Sequence, residues 1–307
     1  MPESFKCTAP ATLMLFGEHA VLHGHHALSC AVDKYLEVCL KPRRDDKIEI
    51  TSALGSYMAT TTDIPYDPTF SFVTKALQSK WQLLPSGCTI EISSQFSHLF
   101  GLGSSAAVTA ATLGALSLWL QSSIDKEQLF HESLAIIRSV QGIASGADVA
   151  ASIFGSIVYY RMDPCQITPL PHLFPLTVVY SGSKMATKQV IQHVRSRYEK
   201  EHQLYDALFA SMGEVSKRAK EAICLEDWQT LGQLANMQQG LMDAIGVNTH
   251  ALSDIVYQMR AQAQILGSKI SGSGLGDCVI GFGHAPSFTT SYPQLQLQMS
   301  PQGIRYE

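Results

Sequence analysis

Charge is scarce in this chain, and none of it is gathered. Only 16% of the 307 residues are charged, and 22 Lys and Arg against 26 Asp and Glu leave a net charge of −4. No basic run occurs, which argues against a broad nucleic-acid surface. Long apolar runs are missing too. No uninterrupted apolar stretch reaches membrane-spanning length, and residues 1–6 lack the charged-then-apolar order of a secretory leader. These absences lead us to expect a cytoplasmic protein without a nucleic-acid or membrane partner. Paired cysteines are absent as well. The seven Cys are odd in number, contain no C-x-x-C, and several lie in apolar strand-like runs. Reduced core thiols are the expectation. His23, His25 and His26 cluster in a loop-like stretch, but no Cys or carboxylate beside them completes a metal site. What is present is core material: 46% of residues are apolar, ample for one large domain or two ordinary ones.

The chain is organised around Phe100-Gly101-Leu102-Gly103-Ser104-Ser105-Ala106-Ala107. A strand-like alternation, Cys88-Thr89-Ile90-Glu91-Ile92, precedes it, and an Ala- and Leu-rich run from Val108 to Leu120 follows. This reads as a helix entered through a glycine loop. Gly101 and Gly103 permit positive φ and close approach of a ligand to the backbone. Ser104 and Ser105 stand where capping hydroxyls belong, and the helix N-terminus offers free N–H groups to an anion such as phosphate. A plain strand–turn–helix would read the same way. No Gly-Lys-Ser/Thr closes a Walker loop, and no G-x-G-x-x-G is present.

Elsewhere the order is mixed α and β. Strands are expected from Phe5 to Phe16, over 27–32, 35–40 and 47–51, from Phe154 to Tyr160, from Leu176 to Tyr180, from Cys278 to Phe282, and around Leu295, Leu297 and Met299. Helices are expected over 67–84, 125–141, 187–202, 204–222 and 225–244, and after Thr249. Asp125 with Gln128 resembles a capping box. The run from Asp163 to Pro175 holds four prolines and is the best linker. Two further glycine turns carry polar groups. Glu18 and His19 sit side by side after Gly17, either as site residues or as a solvated turn. Asp148 ends Gly142-Ile143-Ala144-Ser145-Gly146-Ala147-Asp148 before an apolar helix, as a functional carboxylate or a helix cap. A third glycine loop, Lys269-Ile270-Ser271-Gly272-Ser273-Gly274-Leu275-Gly276-Asp277, precedes the strand from Cys278.

These segments, in this order, resemble the GHMP kinase superfamily, named for galactokinase, homoserine kinase, mevalonate kinase and phosphomevalonate kinase. GLGSSAA is similar to its phosphate loop, GEHAVLHG looks most like the mevalonate kinase family, and KISGSGLGDC is similar to the third motif. The resemblance implies an α+β fold of two domains, a ribosomal-protein-like one over 1–170 and a ferredoxin-like one over 171–307, with ATP and substrate between them. It implies an ATP- and Mg²⁺-dependent kinase acting on the hydroxyl of mevalonate, a cytoplasmic enzyme for which a homodimer is an expectation. Carried over by position, Gly101, Leu102, Gly103, Ser104, Ser105 and Ala106 would cradle the triphosphate, with Ser105 a magnesium ligand. Asp148 would be catalytic. Glu18, His19 and Thr187 would contact substrate, and Ser271, Gly272 and Gly274 would close over the phosphates. ATP brings negative charge that N–H groups and Mg²⁺ must spread as the phosphoryl moves, and a carboxylate near the acceptor can take its proton.

The sequence also departs from the pattern. Thr12 stands where the family motif A-P-G-K has its lysine, and Ile137 where mevalonate kinases carry a magnesium-binding glutamate. Ala144 replaces a proline and Val149 an asparagine. The run SGADVAASIFGS also looks like phosphomevalonate kinase. Two rival readings follow: a phosphomevalonate kinase or transiently phosphorylating decarboxylase, and a nucleotide-binding protein with weak or no catalysis. Lys184, Lys188 and Arg195 are the cations that a phosphorylated acceptor would need. Lys6, Lys184 or Lys188 could supply the charge that Thr12 lacks.

Overall fold

A computed structural model of the chain describes residues 4–121 and 123–307. Residues 1–3, part of the stretch read for a leader, lie outside the described residues. The first half runs β1 (Phe5–Phe16), β2 (His26–Pro42), β3 (Lys47–Ser52), β4 (Gly55–Thr60), α1 (Ser71–Lys80), β5 (Cys88–Ser94), α2 (Ser104–Gln121), α3 (Lys126–Gln141), α4 (Ala147–Phe154), β6 (Ile157–Arg161) and β7 (Gln166–Leu170). The second runs β8 (Leu176–Tyr180), α5 (Thr187–Tyr198), α6 (His202–Cys224), α7 (Trp228–Ala244), α8 (His250–Arg260), β9 (Ser268–Ser271), β10 (Cys278–Phe282), β11 (Gln294–Leu295) and β12 (Arg305–Tyr306).

Among the described residues the strands form two sheets. The larger has the order β12-β1-β2-β5-β3-β4, with β6 paired to β2 and β7 to β6. The smaller is antiparallel in the order β11-β8-β10-β9. Helices α2 and α4 pack directly on β1 and β2, and α7 and α8 on β9 and β10. The chain changes sheet between Leu170 and Leu176. It does not stay there: Met299 bridges to Val32, and β12 pairs with β1, so the last residues return to the first sheet.

Several elements differ from expectation, each for a physical reason. The two strands expected over 27–32 and 35–40 are one, because Asp33 and Lys34 form a bulge opposite Pro10 and Ala11 instead of a break. The hairpin strand β4 gave little signal because its side chains are mostly exposed at the sheet edge. Only Ser71–Lys80 of the long first helix is α-helical; Asp67 accepts from Phe70 N at 2.9 Å across the entry turn, and Trp81–Leu83 tightens into a 3₁₀ turn. The proline-rich linker holds a real strand, β7. It pairs only with β6, so Pro169 needs no second ladder partner. Helix α7 starts at Trp228 because Glu226 takes positive φ and Asp227 caps the turn through Thr230 N. Asp125 does cap α3, accepting from Glu127 N and Gln128 N, but the Gln128 amide turns to Glu132, so the box does not close.

All seven cysteines are free, five of them buried, as expected of core thiols. His23 stacks on Phe209 with ring centroids 4.0 Å apart, and His26 on Tyr159 at 4.3 Å; the histidine cluster is packing. Among the described residues no helix is long and apolar enough to cross a membrane.

Candidate active site

A cavity of about 920 Å³ opens between the two sheets, floored by the N-terminal ends of α2 and α4. Both ends are shaped by glycine. Gly101 and Gly103 have φ of 69° and 64°, and a Cβ on Gly103 would lie 2.0 Å from Thr12 Oγ1. Only glycine lets the loop approach β1 that closely. The helix starts at Ser104, so Ser104 and Ser105 occupy its first turn instead of capping it, and Gly103 O accepts from Ala107 N at 3.1 Å. Gly101, Gly103, Ser104, Ser105 and Ala106 all line the cavity. Leu102 turns the other way. Its side chain is buried in the core and its carbonyl accepts from Thr12 N.

The α4 end is fixed from behind. Tyr160 Oη donates to Ser145 O at 2.7 Å, Ser29 Oγ donates to Ala147 O at 2.8 Å, and Gly146 takes φ 98°. Gly146, not Asp148, is the N-cap residue, which leaves the Asp148 side chain free of capping duty. Its carboxylate faces the cavity, and Thr12 Oγ1 donates to its Oδ1 at 3.0 Å. Thr12 thus holds Asp148 with its hydroxyl and the phosphate-type loop with its backbone N–H. Burial lifts the Asp148 carboxyl above the usual carboxylate range; the Thr12 bond and the charge of Lys184 oppose that rise, and Glu18 adds to it.

Lys184 lines the rim, where its Nζ donates to His98 O at 2.8 Å. It is the cation whose charge reaches Asp148. Lys188 and Thr187 line the same wall, at the start of α5. Lys6 lies far off on β1 beside β12. Arg195 is absent from the lining and pairs with Glu199 at 3.1 Å. Ile137 lines the cavity as a buried apolar residue.

Glu18 and His19 line the cavity but are bound to the opposite half. Glu18 is 2% exposed. Its Oε1 accepts from Lys269 Nζ, which also donates to Ile270 O, and its Oε2 accepts from Gln238 Nε2 at 3.2 Å. Burial pulls the fully buried Lys269 ammonium below its usual range, and the Glu18 charge resists. His19 has φ 60°, and its Nε2 faces Ser273 O at 2.8 Å, so that nitrogen carries the proton. Burial lowers the His19 pKa, against the Ser273 bond, and so favours the neutral ring. The solvated-turn alternative for this pair is therefore excluded.

In the third glycine loop the placement differs from expectation. Ser271 belongs to β9 and donates to Met14 O at 2.9 Å, and Gly274 is pressed on Val247. Neither lines the cavity; Gly272, Ser273 and Asp277 do. Asp277 escaped the sequence reading, although an acidic residue ending a glycine turn was the very signal that marked Asp148. Burial pushes its carboxyl up to about 6, against the pull of Lys184 and with a further push from Asp148. Lys269 also escaped; its short strand, Ser-Lys-Ile-Ser, carries no apolar pattern that would mark it as buried.

The family models for the GHMP kinases N terminal domain and the GHMP kinases C terminal match residues 69–156 and 219–287. The mevalonate kinase of Pyrococcus abyssi is 34% identical over 298 residues, covering 91% of this chain and 88% of that one. The chain belongs to the GHMP kinases. The mevalonate kinase of Thermococcus sibiricus is likewise 34% identical, over 89% of this chain and 87% of its own length. Among solved structures, L. major mevalonate kinase in complex with R-mevalonate superposes with a TM-score of 0.79 at 23% identity, over 97% of this chain and 96% of that one. The Lin0012 protein of Listeria innocua reaches 0.88 at 18% identity, over 99% of each chain. These two likenesses establish the α+β two-domain fold. The sequence relatives place the chain among ATP-dependent small-molecule kinases of the mevalonate kinase type.

Proposed function

We propose that this GHMP kinase transfers the γ-phosphoryl group of ATP to the hydroxyl of mevalonate, in a cavity between a domain built on residues 1–170 and one built on residues 171–307, whose last residues, from Met299, return to the first. The observation that carries the reading is the Asp148 carboxylate, which faces the cavity from the turn of α4 beside the glycine loop of α2. The backbone N–H groups from Gly101 to Ala106 bind the phosphates at a helix N-terminus. Asp148 orients the acceptor hydroxyl and takes its proton as the new bond forms. Thr12 holds Asp148 in place, and Lys184 supplies positive charge in place of the lysine missing at position 12. The neutral His19 ring and Thr187 provide polar contacts for the substrate.

The residues present fit a magnesium ion shared with nucleotide. Among the described residues no three His, Cys, Asp or Glu side chains form a metal site, so the protein alone would not hold one. One buried carboxylate oxygen in the cavity, Asp277 Oδ1, has no hydrogen-bond partner, and Ser105 lines the same cavity from the first turn of α2. Few protein oxygens plus phosphates is the usual way Mg²⁺ is held. When bound, the ion would help neutralise the charge of the moving phosphoryl group.

The lining also bears on the acceptor. Lys184 and Lys188 are its only lysines or arginines among the described residues, against Glu18, Asp148 and Asp277. That supports an acceptor with a single carboxylate over a phosphorylated one. A coupled ADP-release assay with mevalonate, its phosphate and its diphosphate tests the reading. Turnover on mevalonate alone is expected. Preference for a phosphorylated substrate would move the chain to the other GHMP reactions, and nucleotide binding without turnover on any of them would make it a binding protein.

A further inference from the structure

We propose that Asp277 is the carboxylate that takes the divalent cation of the bound nucleotide, in place of the acidic side chain that position 137 lacks. The inference rests on the reading that nucleotide phosphates lie on the glycine loop of α2.

The geometry is specific. Asp277 is 5% exposed, and its Oδ1 is buried without a partner. Leaving such an oxygen unpaired is costly, and native structures normally give it a partner or a function. Its two oxygens lie over two glycines. A Cβ on Gly101 would stand 2.6 Å from Oδ1, and one on Gly272 would stand 3.5 Å from Oδ2. The carboxylate therefore presses on the turn that a phosphate would occupy. The backbone fixes it there. Asp277 N donates to Ser183 O and Ser181 N donates to Asp277 O, each at 2.9 Å, and φ is 64°. Asp and Asn tolerate that conformation better than other non-glycine residues.

A carboxylate held against phosphates needs a cation between them. The charged and titratable groups around it are Lys184, Asp148, Cys278 and Tyr180. Of these only Lys184 is a cation, and its ammonium is engaged at His98 O and shared with Asp148. The Ser105 hydroxyl, Asp277 and phosphate oxygens form a hard, all-oxygen donor set suited to Mg²⁺ or Mn²⁺. Ile137 meanwhile presents the cavity with no donor at all.

The test uses Mn²⁺ as probe on the full chain, with free Mn²⁺ read by electron paramagnetic resonance in the presence of a non-hydrolysable imido analogue of ATP. Binding of the analogue is also measured in EDTA. Asp277→Asn and Asp277→Gly both accept the backbone angle, and circular dichroism checks each fold. We expect the Mn²⁺ affinity of the analogue complex to fall at least about tenfold in both variants. In EDTA both should bind the analogue as tightly as the parent or more tightly, since an anion has been removed beside the phosphates. Parental Mn²⁺ affinity in either folded variant would overturn the proposal. Weaker analogue binding by Asp277→Gly in EDTA would overturn it too, because it would show a direct hydrogen bond from Asp277 to phosphate. Failure of the parent itself to bind the analogue would instead fall on the proposed function, and take this inference with it.

Discussion

Thr12→Val removes one hydroxyl and almost nothing else. Thr12 is fully buried on β1, and valine keeps its β-branched shape there. The lost bond is the 3.0 Å donation to Asp148 Oδ1, which favours the ionised carboxylate. Hydrogen bonds to charged groups contribute roughly 1.5–3 kcal/mol. At about 1.4 kcal/mol per tenfold, losing it disfavours the ionised Asp148 carboxylate by a further factor of roughly ten to a hundred, in the same direction as burial. The ionised form is the one that accepts the hydroxyl proton, so less of it remains at a given pH. The acid limb of log kcat/KM should therefore move to higher pH by about one to two units, while the alkaline plateau falls far less. Initial rates of ADP release at saturating ATP, from pH 5 to pH 9, measure both. An unmoved limb in a folded variant would refute the reasoning, since Thr12 would then have no hold on the Asp148 proton. A limb moved to lower pH would refute its sign.

Asp148→Asn should lower kcat by at least about 10²-fold while ATP binding and the melting temperature stay near parental, because Gly146 rather than Asp148 caps α4; near-parental kcat would remove Asp148 from the mechanism. Ser105→Ala should weaken Mg-ATP turnover without loss of circular dichroism signal, and an unchanged kcat/KM would end its role toward the metal. Lys269→Met should cost about 3–5 kcal/mol of stability by leaving Glu18 buried and uncompensated. Urea unfolding measures it, and the double variant Lys269→Met/Glu18→Gln should recover most of the loss.

The parts of this molecule that were legible in the sequence are those with local causes. The glycine loop, Asp125 and Thr249 as caps, and the alternation of β5 announce themselves within a few residues. Asp148 was legible because glycine and alanine around an acid leave little else for it to do. The unread parts depend on distant partners. Nothing near Lys269 in the chain says that Glu18, 251 residues away, will meet it, or that Gln238 will donate to the same carboxylate from 220 residues away. Ser271 looked like a phosphate ligand because its neighbours are glycines. It is the strand register of β9 that turns its hydroxyl to Met14 and leaves Ser273 and Asp277 at the cavity. Likewise β4 and β7 exist through pairing, not through any pattern of their own.

The contact of Glu18 with Lys269 has a mechanical side. It ties the two halves together where water does not reach, whereas the bond from Lys184 to His98 ties them at an exposed rim. One works as the spine of a book and the other as its clasp. Spreading the covers parts the Lys184 bond at the clasp, together with the Cys278 Sγ donation to Phe100 O and the Phe100–Tyr180 contact beside it, but bends the spine around a charge pair that cannot be bared cheaply. Any opening of the cavity is therefore expected to spare β9 and the Gly17 turn and to be greatest toward residues 98 and 184. A distance label across the exposed neighbours Leu99 and Met185 should report the movement, and no change on nucleotide binding would refute the hinge.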